Sequence, residues 1–235
     1  MSNLGNKVRS QKTSTKVRAL LAGGLVLGVG AAFTLAAWTD NEWVFGATAD
    51  GPGTNPGTKT YQMQQNTWSG TSGAEAWSDQ AAANGGALTF SIGATDLTPG
   101  KTVYAPMQLR AVAGSEGLTA TLAEGVQSAL PVSTTTNSTA LYGALKYQAN
   151  SGVAQANCNS AGMLTGTTLV PASSALAGSP ASAVTITLPK GATSAAPGAA
   201  VDICFAITLP AGVTDVTLQG KNTIPVWRFT SIAGS

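Results

Sequence analysis

The alternation that decides the fold class lies in residues 201–209, which read VDICFAITL. Every second position carries a large apolar side chain, namely Val201, Ile203, Phe205, Ile207 and Leu209. In an extended strand these side chains all point to one face, because successive residues alternate between the two faces. The stretch therefore predicts a β-strand with one face in a hydrophobic core.

Similar period-two runs lie on both sides of this stretch and are separated by Gly, Pro and Asn turns. The runs are residues 88–92, 103–111, 118–122, 141–148, 184–188, 216–218 and 223–232. Eight or nine short strands with turns between them are typical of an antiparallel sandwich. We therefore predict an all-β fold, an antiparallel β-sandwich with long loops rich in Ala, Gly, Ser and Thr.

Several segments depart from the simple pattern. A short helix is predicted near Ala74–Ala83, and residues 124–140 and 150–183 look like surface insertions because they hold few large apolar residues. Pro106 lacks an N–H group and so indicates an edge strand or a bulge. Apolar residues on both faces of 224–229 indicate either a central strand or a bulge at Val226-Trp227.

Composition excludes several classes of function. Only 9% of the residues are charged, against about 25% in an average domain. The chain has no histidine, which removes the commonest general base and metal ligand, so we expect no catalytic site, metal or cofactor. Glu75 and Asp79 have i,i+4 spacing, and paired carboxylates can catalyse glycoside hydrolysis when a cleft holds them at a defined distance. Two acids on a short Ala-rich helix are more simply its solvent face. Twelve basic residues without a basic face predict no nucleic-acid partner.

The N-terminus has the three parts of an export signal. Residues 1–18 are polar and basic, and residues 19–37, ALLAGGLVLGVGAAFTLAA, carry no charge. Small residues end the segment, so we predict cleavage after Ala36 or Ala37, next to Trp38. The alternative is an uncleaved membrane anchor, which would be the chain's only contact with a membrane. In both cases the rest of the chain lies outside the cytoplasm.

The two cysteines, Cys158 and Cys204, are the only ones in the chain. In an exported protein such a pair predicts a disulfide. Closing a loop of about 47 residues would stabilise the fold by roughly 4 kcal/mol in the chain-entropy model. Cys204 alternates with Ile203 and Phe205, so the bridge should lie on the opposite face of that strand and tie the loop around Cys158 to the sheet.

Large aromatic residues are concentrated after the predicted cleavage point, at Trp38, Trp43, Phe45, Trp68 and Trp77. They could contribute to the core, form an interaction surface for carbohydrate or another subunit, or be recognised during export. The strip Trp38–Phe45, which includes Trp43 and Val44, is short and competent to form a strand. Adding it to the sheet edge of another copy would join subunits head to tail, and such a contact propagates as a fibre.

The string Ala36-Ala37-Trp38-Thr39-Asp40 resembles the signal junction of the TasA/camelysin family of exported proteins from Gram-positive bacteria. The turn Leu97-Thr98-Pro99-Gly100-Lys101 is similar to the family's Leu-x-Pro-Gly-Asp turn, with Lys101 where an acid is usual. The strand Trp227-Arg228-Phe229-Thr230 is similar to the family's aromatic C-terminal strand. The resemblance implies a jelly-roll fold, export through a SipW-type signal peptidase, and a role in the cell surface or biofilm matrix. The strand count alone does not separate a jelly roll from an immunoglobulin-like sandwich.

Three regions follow from this reading: a signal peptide at 1–37, an aromatic strand with a flexible region at 38–86, and a β-sandwich body at 87–235. We expect a secreted, non-enzymatic structural protein that self-associates, possesses a cell-wall or matrix partner, and assembles into fibres by strand addition. The alternative is a surface adhesin or carbohydrate-binding β-sandwich module that uses exposed aromatic residues.

Overall fold

The computed structural model describes residues 60–68, 74–82, 85–91, 96–128 and 137–233. All of them belong to the compact unit Thr58–Ser235. Within these ranges the chain forms β1 (Met63–Asn66), β2 (Trp77–Ser78), β3 (Thr102–Ala111), β4 (Leu118–Gln127), α1 (Thr139–Ala144), β5 (Lys146–Ser151), β6 (Thr167–Ala175), β7 (Thr185–Leu188), β8 (Val201–Thr208) and β9 (Pro225–Ala233). Short 3-10 helices occupy Gln155–Asn157, Gly162–Leu164 and Val216–Leu218.

The strands pair into two antiparallel sheets, which confirms the predicted all-β sandwich. A six-stranded sheet has the order β2-β1-β3-β8-β5-β6, and a three-stranded sheet has the order β7-β4-β9. The chain crosses between the sheets after β3, β4, β6, β7 and β8. This repeated crossing is compatible with the jelly roll that the family resemblance implies.

The core lies between the two sheets and is centred on β8, which pairs with both β3 and β5. Ile203, Phe205 and Ile207 are buried there, as the alternation in residues 201–209 predicts. Strand β3 shows the same alternation without interruption over its ten residues. Leu118 and Leu188 supply the core from the facing three-stranded sheet.

Two of the predicted strands have other conformations, and the predicted run 141–148 is a strand only from Lys146, because Thr139–Ala144 forms a helix. Leu88 and Phe90 pack against the core, but residues 85–91 are not a strand; they contact β3 through a bond from the Ser91 N–H to the Tyr104 carbonyl at 2.7 Å. The run at 216–218 is a 3-10 helix, because the Asp215 side chain caps it by accepting from the Thr217 N–H at 2.9 Å.

The helix predicted near Ala74–Ala83 is not found in the described part of that range, residues 74–82. Residues 77–78 form β2 and pair with β1, and no other described residue of 74–82 is helical. The helix α1 follows Ser138 instead, whose Oγ accepts from the Leu141 N–H at 3.2 Å. This capping bond begins the helix, while Leu141 and Tyr142 bury one of its faces.

The predicted insertions are partly strand. Residues 124–127 complete β4, and the range 150–183 contains the end of β5 and all of β6, which pairs with β5 at the edge of the six-stranded sheet. Strands β1 and β2 likewise place part of the region 38–86 within that sheet. These strands were not recognised in the sequence because they consist largely of small Thr, Ser and Ala residues. An edge strand buries few large apolar side chains, so it lacks a clear apolar alternation.

The irregular positions have simple explanations. Pro106 pairs with Cys204 of β8 in a register without a shift, and β1 pairs with β3 only from Gln108 onward. Among the described strands, none pairs with the other side of β3 at Pro106, which agrees with the predicted edge position. Strand β9 is an edge strand and not a central one; the bulge is in its partner β4, between Leu122 and Glu124.

No helix within the described ranges is long and apolar enough to span a membrane. The predicted signal segment 1–37, with Ala36, Ala37 and Trp38, lies outside the described residues, as does the strip Trp38–Phe45.

Candidate assembly site

Four strands end the two sheets, and three of them offer little to a further strand. Strand β2 has two residues and β7 has four. Strand β6 is longer but contains Pro171, a left-handed residue at Ser173 with φ of 66°, and two register shifts against β5. Short strands, prolines and bulges are the usual devices that prevent edge-to-edge pairing.

The fourth edge strand, β9, is different. It has nine residues, pairs with β4 on one side, and has its single proline at the first position. No described strand pairs with its other side. The bulge opposite it lies in β4, so β9 itself stays regular. It is the longest regular sheet edge in the part of the chain that the structure describes.

An apolar cleft of about 320 Å³ lies beside β9. One wall is formed by Trp227 and Phe229 of β9, and the other by Leu88, Phe90 and Met107. Every residue that lines the cleft is uncharged. A strand added to β9 would place alternate side chains over this cleft, because successive residues point to opposite faces.

Aromatic contacts fix the wall of the cleft. The Trp227 ring lies 4.8 Å from Phe205, 5.7 Å from Tyr147 and 6.3 Å from Phe90, measured between centroids. Phe229 meets Phe205 edge to face at 6.4 Å. These are the distances at which aromatic pairs attract beyond their buried area. These contacts therefore hold β9 against the core, although no described strand pairs with its outer side.

Charge is confined to the outward face of β9. The Arg228 guanidinium donates to the Glu124 carboxylate at 2.8 Å across the β9–β4 pair, and both side chains are exposed. Inward, burial raises the pKa of Tyr147 to about 12, with a further contribution from Tyr142. Burial also raises the pKa of Tyr142. Neither tyrosine lines the cleft, and every residue that does line it is uncharged.

The predicted disulfide is present. Cys158 and Cys204 are bonded, with their Cα atoms 5.4 Å apart. Cys204 lies on the outer face of β8, opposite Phe205, and packs with Val153, Met163 and Ala206 in a second small core. The bond therefore ties the β5–β6 connection to the outer face of the six-stranded sheet, as the alternation predicts.

The other predicted residues are placed as follows. Trp38, Trp43, Val44 and Phe45 lie outside the described residues. Trp77 in β2 is half-buried, and the Arg110 guanidinium lies 3.8 Å from its ring centroid, which is a cation–π contact. Trp68 is half-buried with a left-handed φ of 51°. Of the described aromatic side chains, only Tyr61 is more than a third exposed.

The two carboxylates that the sequence pairs are not brought together by a helix. Glu75 accepts a hydrogen bond from the Trp77 indole, and Asp79 accepts one from the Gln62 side chain. The Gln62–Asp79 bond joins the residues that flank β1 and β2, whereas the Glu75–Trp77 bond is local to one segment. Across the described ranges, no three His, Cys, Asp or Glu side chains cluster closely enough to hold a metal ion.

Sequence reasoning missed the edge of β9. It noted the aromatic strand Trp227-Arg228-Phe229-Thr230 but did not place it at a sheet edge beside a cleft. The sequence signal was the pattern of apolar residues on both faces of 224–229. Central strands and edge strands that face a cleft share this pattern. The two kinds of strand are distinguished by pairing, and β9 pairs with no described strand except β4.

No protein-family model, curated protein or solved structure matches this chain. The fold and the disulfide therefore define its class by themselves: an all-β, two-sheet sandwich with one covalent cross-link.

Proposed function

We propose that this chain is a secreted structural protein of the cell surface or matrix, and that its copies join by strand addition at β9. The observation that carries the proposal is the nine-residue edge strand β9 beside an uncharged, aromatic cleft. An open edge gives backbone hydrogen bonds to an incoming strand, and the cleft receives its apolar side chains. The other sheet edges described above are short or interrupted.

The strip Trp38–Phe45 has the properties of the donor. In an extended strand Trp43 and Phe45 share one face and Val44 lies on the other. Two large rings on one face match a cleft whose walls are Trp227, Phe229 and Phe90. Because donor and acceptor are different surfaces, each copy can give one strand and accept one, and the contact repeats as a fibre.

Export of the chain rests on two supports. The segment 1–37 has the pattern of a signal peptide, and its junction resembles those cut by a SipW-type signal peptidase. The Cys158–Cys204 disulfide is a cross-link that persists in oxidising compartments. Both favour a location outside the cytoplasm, and the uncharged cleft favours assembly and not turnover of a substrate.

Electron microscopy of the secreted protein at rising concentration tests this proposal. The Trp43→Ser/Phe45→Ser double variant should stay monomeric, because it lacks both rings of the inward face. The matched control Val44→Ser should still form filaments, since Val44 faces outward. Mass spectrometry must show the same processed N-terminus for all three proteins. Filaments from the double variant would contradict strand donation, and wild-type monomers retained on a polysaccharide column would favour the adhesin.

A further inference from the structure

A second and larger cavity lies at the end of the sandwich, where β3 begins and β8 ends. Its volume is about 630 Å³, within the usual range for small-molecule sites. The inner wall is aliphatic and is supplied by Val103, Leu141, Leu145, Ile207 and Leu209. The β8–β9 connection, with its 3-10 helix Val216–Leu218, forms the outer wall.

The mouth of this end cavity is polar. Asp215, Gln219, Lys221 and Asn222 all belong to the β8–β9 connection. Asp215 already accepts from the N–H and the Oγ1 of Thr217, at 2.9 and 2.6 Å, and these bonds lower its pKa. Lys221 is the only cationic residue of the lining, and among the described residues no carboxylate lies within ion-pair distance of its Nζ.

These features select one ligand chemistry. A sugar needs aromatic platforms and hydrogen-bonding groups along its length, whereas the inner wall is aliphatic and Phe90 is the single aromatic residue of the whole lining. A nucleotide needs several cations, and the lining has one. A flexible alkyl chain fits the aliphatic wall, and an anionic head group fits the unpaired ammonium of Lys221 at the mouth.

We propose that the end cavity binds an acyl chain with an anionic head group. The chain lies against Leu141, Leu145 and Ile207, and the carboxylate or phosphate lies at Lys221 Nζ. A free fatty acid and a membrane phospholipid share this chemistry. The end cavity borders the β9 cleft through Phe90, Thr223 and Pro225, but its aliphatic residues Leu141, Leu145 and Ile207 do not line that cleft.

Titration of the secreted protein with cis-parinaric acid, a fluorescent fatty acid, tests the proposal. The wild-type protein should bind it saturably at one site, and palmitate should displace it. Val213 is half-buried in the cavity lining. The Val213→Trp variant fills the cavity and should bind at least about tenfold more weakly, a loss of roughly 1.4 kcal/mol. Leu164→Trp is the matched control, because Leu164 is 87% exposed on the β5–β6 connection.

The head-group contact has its own pair of variants. Lys221→Gln should weaken binding about two- to fivefold, the usual range for an exposed ion pair. Lys190→Gln removes a charge that is 65% exposed and lies outside the cavity lining, so it should have no effect. Thermal unfolding of every variant should show a retained fold.

Vesicles of phosphatidylglycerol distinguish the two sources of the ligand. Co-sedimentation that Val213→Trp abolishes would assign the cavity to a bilayer lipid, whereas binding of parinaric acid alone would assign it to a free fatty acid. Both results support an acyl-chain site. The proposal is overturned if neither probe binds, or if Val213→Trp binds either probe as tightly as the wild type does.

Discussion

The indole of Trp227 in β9 packs against the ring of Phe205 in β8, with centroids 4.8 Å apart. The two strands belong to different sheets, so this pair joins the two layers of the sandwich. Phe205 is fully buried, and Trp227 is half-buried with one side toward the cleft. The same contact therefore stabilises the fold and forms the wall of the proposed acceptor site.

Replacing Trp227 tests this double role. Trp227→Ala should reduce the free energy of unfolding by on the order of 3 kcal/mol, because it removes contacts with three rings. Trp227→Phe keeps a ring and removes an indole N–H that is buried without a partner, so it should cost only on the order of 1 kcal/mol. Urea denaturation measures both free energies of unfolding. If the two variants lose equal stability, the ring contacts of residue 227 do not stabilise the fold.

The disulfide should supply a large part of the stability. Cys158 and Cys204 are 46 positions apart, and in the chain-entropy model a loop of that size contributes roughly 4 kcal/mol. Dithiothreitol should therefore lower the Tm of the wild-type protein. The Cys158→Ala/Cys204→Ala variant is the control: its Tm should already be lower and should not respond to the reductant. A wild-type Tm that ignores complete reduction would contradict the expected contribution.

The turn before β3 requires glycine at one position. The Lys101 N–H donates to the Thr98 carbonyl at 2.9 Å, and Gly100 has φ of 86°. Pro at the second position and a left-handed residue at the third are the features of a type II turn. Gly100→Ala should cost about 1–2 kcal/mol, since a Cβ disfavours that conformation.

Gly212 provides the matched control for this turn. It has no left-handed φ, and a Cβ built on it meets nothing within 4 Å. Gly212→Ala should change the free energy of unfolding little, or raise it by a few tenths of a kcal/mol by restricting the unfolded chain. If the two alanine variants unfold at the same denaturant concentration, the turn assignment is wrong.

Stability should fall at alkaline pH. Burial raises the pKa of Tyr147 from 10.0 to about 12, so the folded state keeps this proton while the unfolded state loses it. The contribution is complete below pH 10 and is lost as the pH rises from about 10 to 12. Denaturant unfolding across this range should show a smaller decline for Tyr147→Phe. Tyr61→Phe, at an exposed position, should decline as the wild type does.

The edge of β9 can be blocked without changing the core. Ser231 follows Phe229 on the inward face of β9, and Thr230 faces outward and is exposed. An inward-pointing charge is a common means of preventing strand addition. Ser231→Lys should therefore abolish filaments, while Thr230→Lys should retain them. Filaments formed equally by both variants, at unchanged Tm, would exclude this edge as the acceptor.

The fold was predictable where large apolar residues alternate. Phe205 and its neighbours in β8 and the strict pattern of β3 gave the class, and the position of Cys204 in that pattern gave the face of the disulfide. Strand β6 was not predictable, because its stretch TTLVPASSA pairs through the backbone and buries only Leu169 and Val170. Propensity also misplaced the helix: within the Ala-rich residues 74–82, Trp77 and Ser78 pair with β1, and capping by Ser138 begins the helix elsewhere.

The candidate site was predictable only in part. The donor strip follows from Trp43 and Phe45 in the sequence, but its acceptor does not. The presence of Trp227 and Phe229 does not show whether β9 is a central or an edge strand, because large aromatic residues are favoured in both. Which strand lies beside β9 is decided by long-range pairing with β4, and the sequence of β9 alone contains no information about it.

Amide hydrogen exchange can show whether β9 accepts a strand from another copy. Exchange of residues 225–233 should be followed in the secreted protein below and above the concentration at which filaments form. These amides should gain strong protection in the filaments, with no change at β6, whose edge is interrupted. Filaments in which residues 225–233 exchange as fast as in the monomer would contradict it.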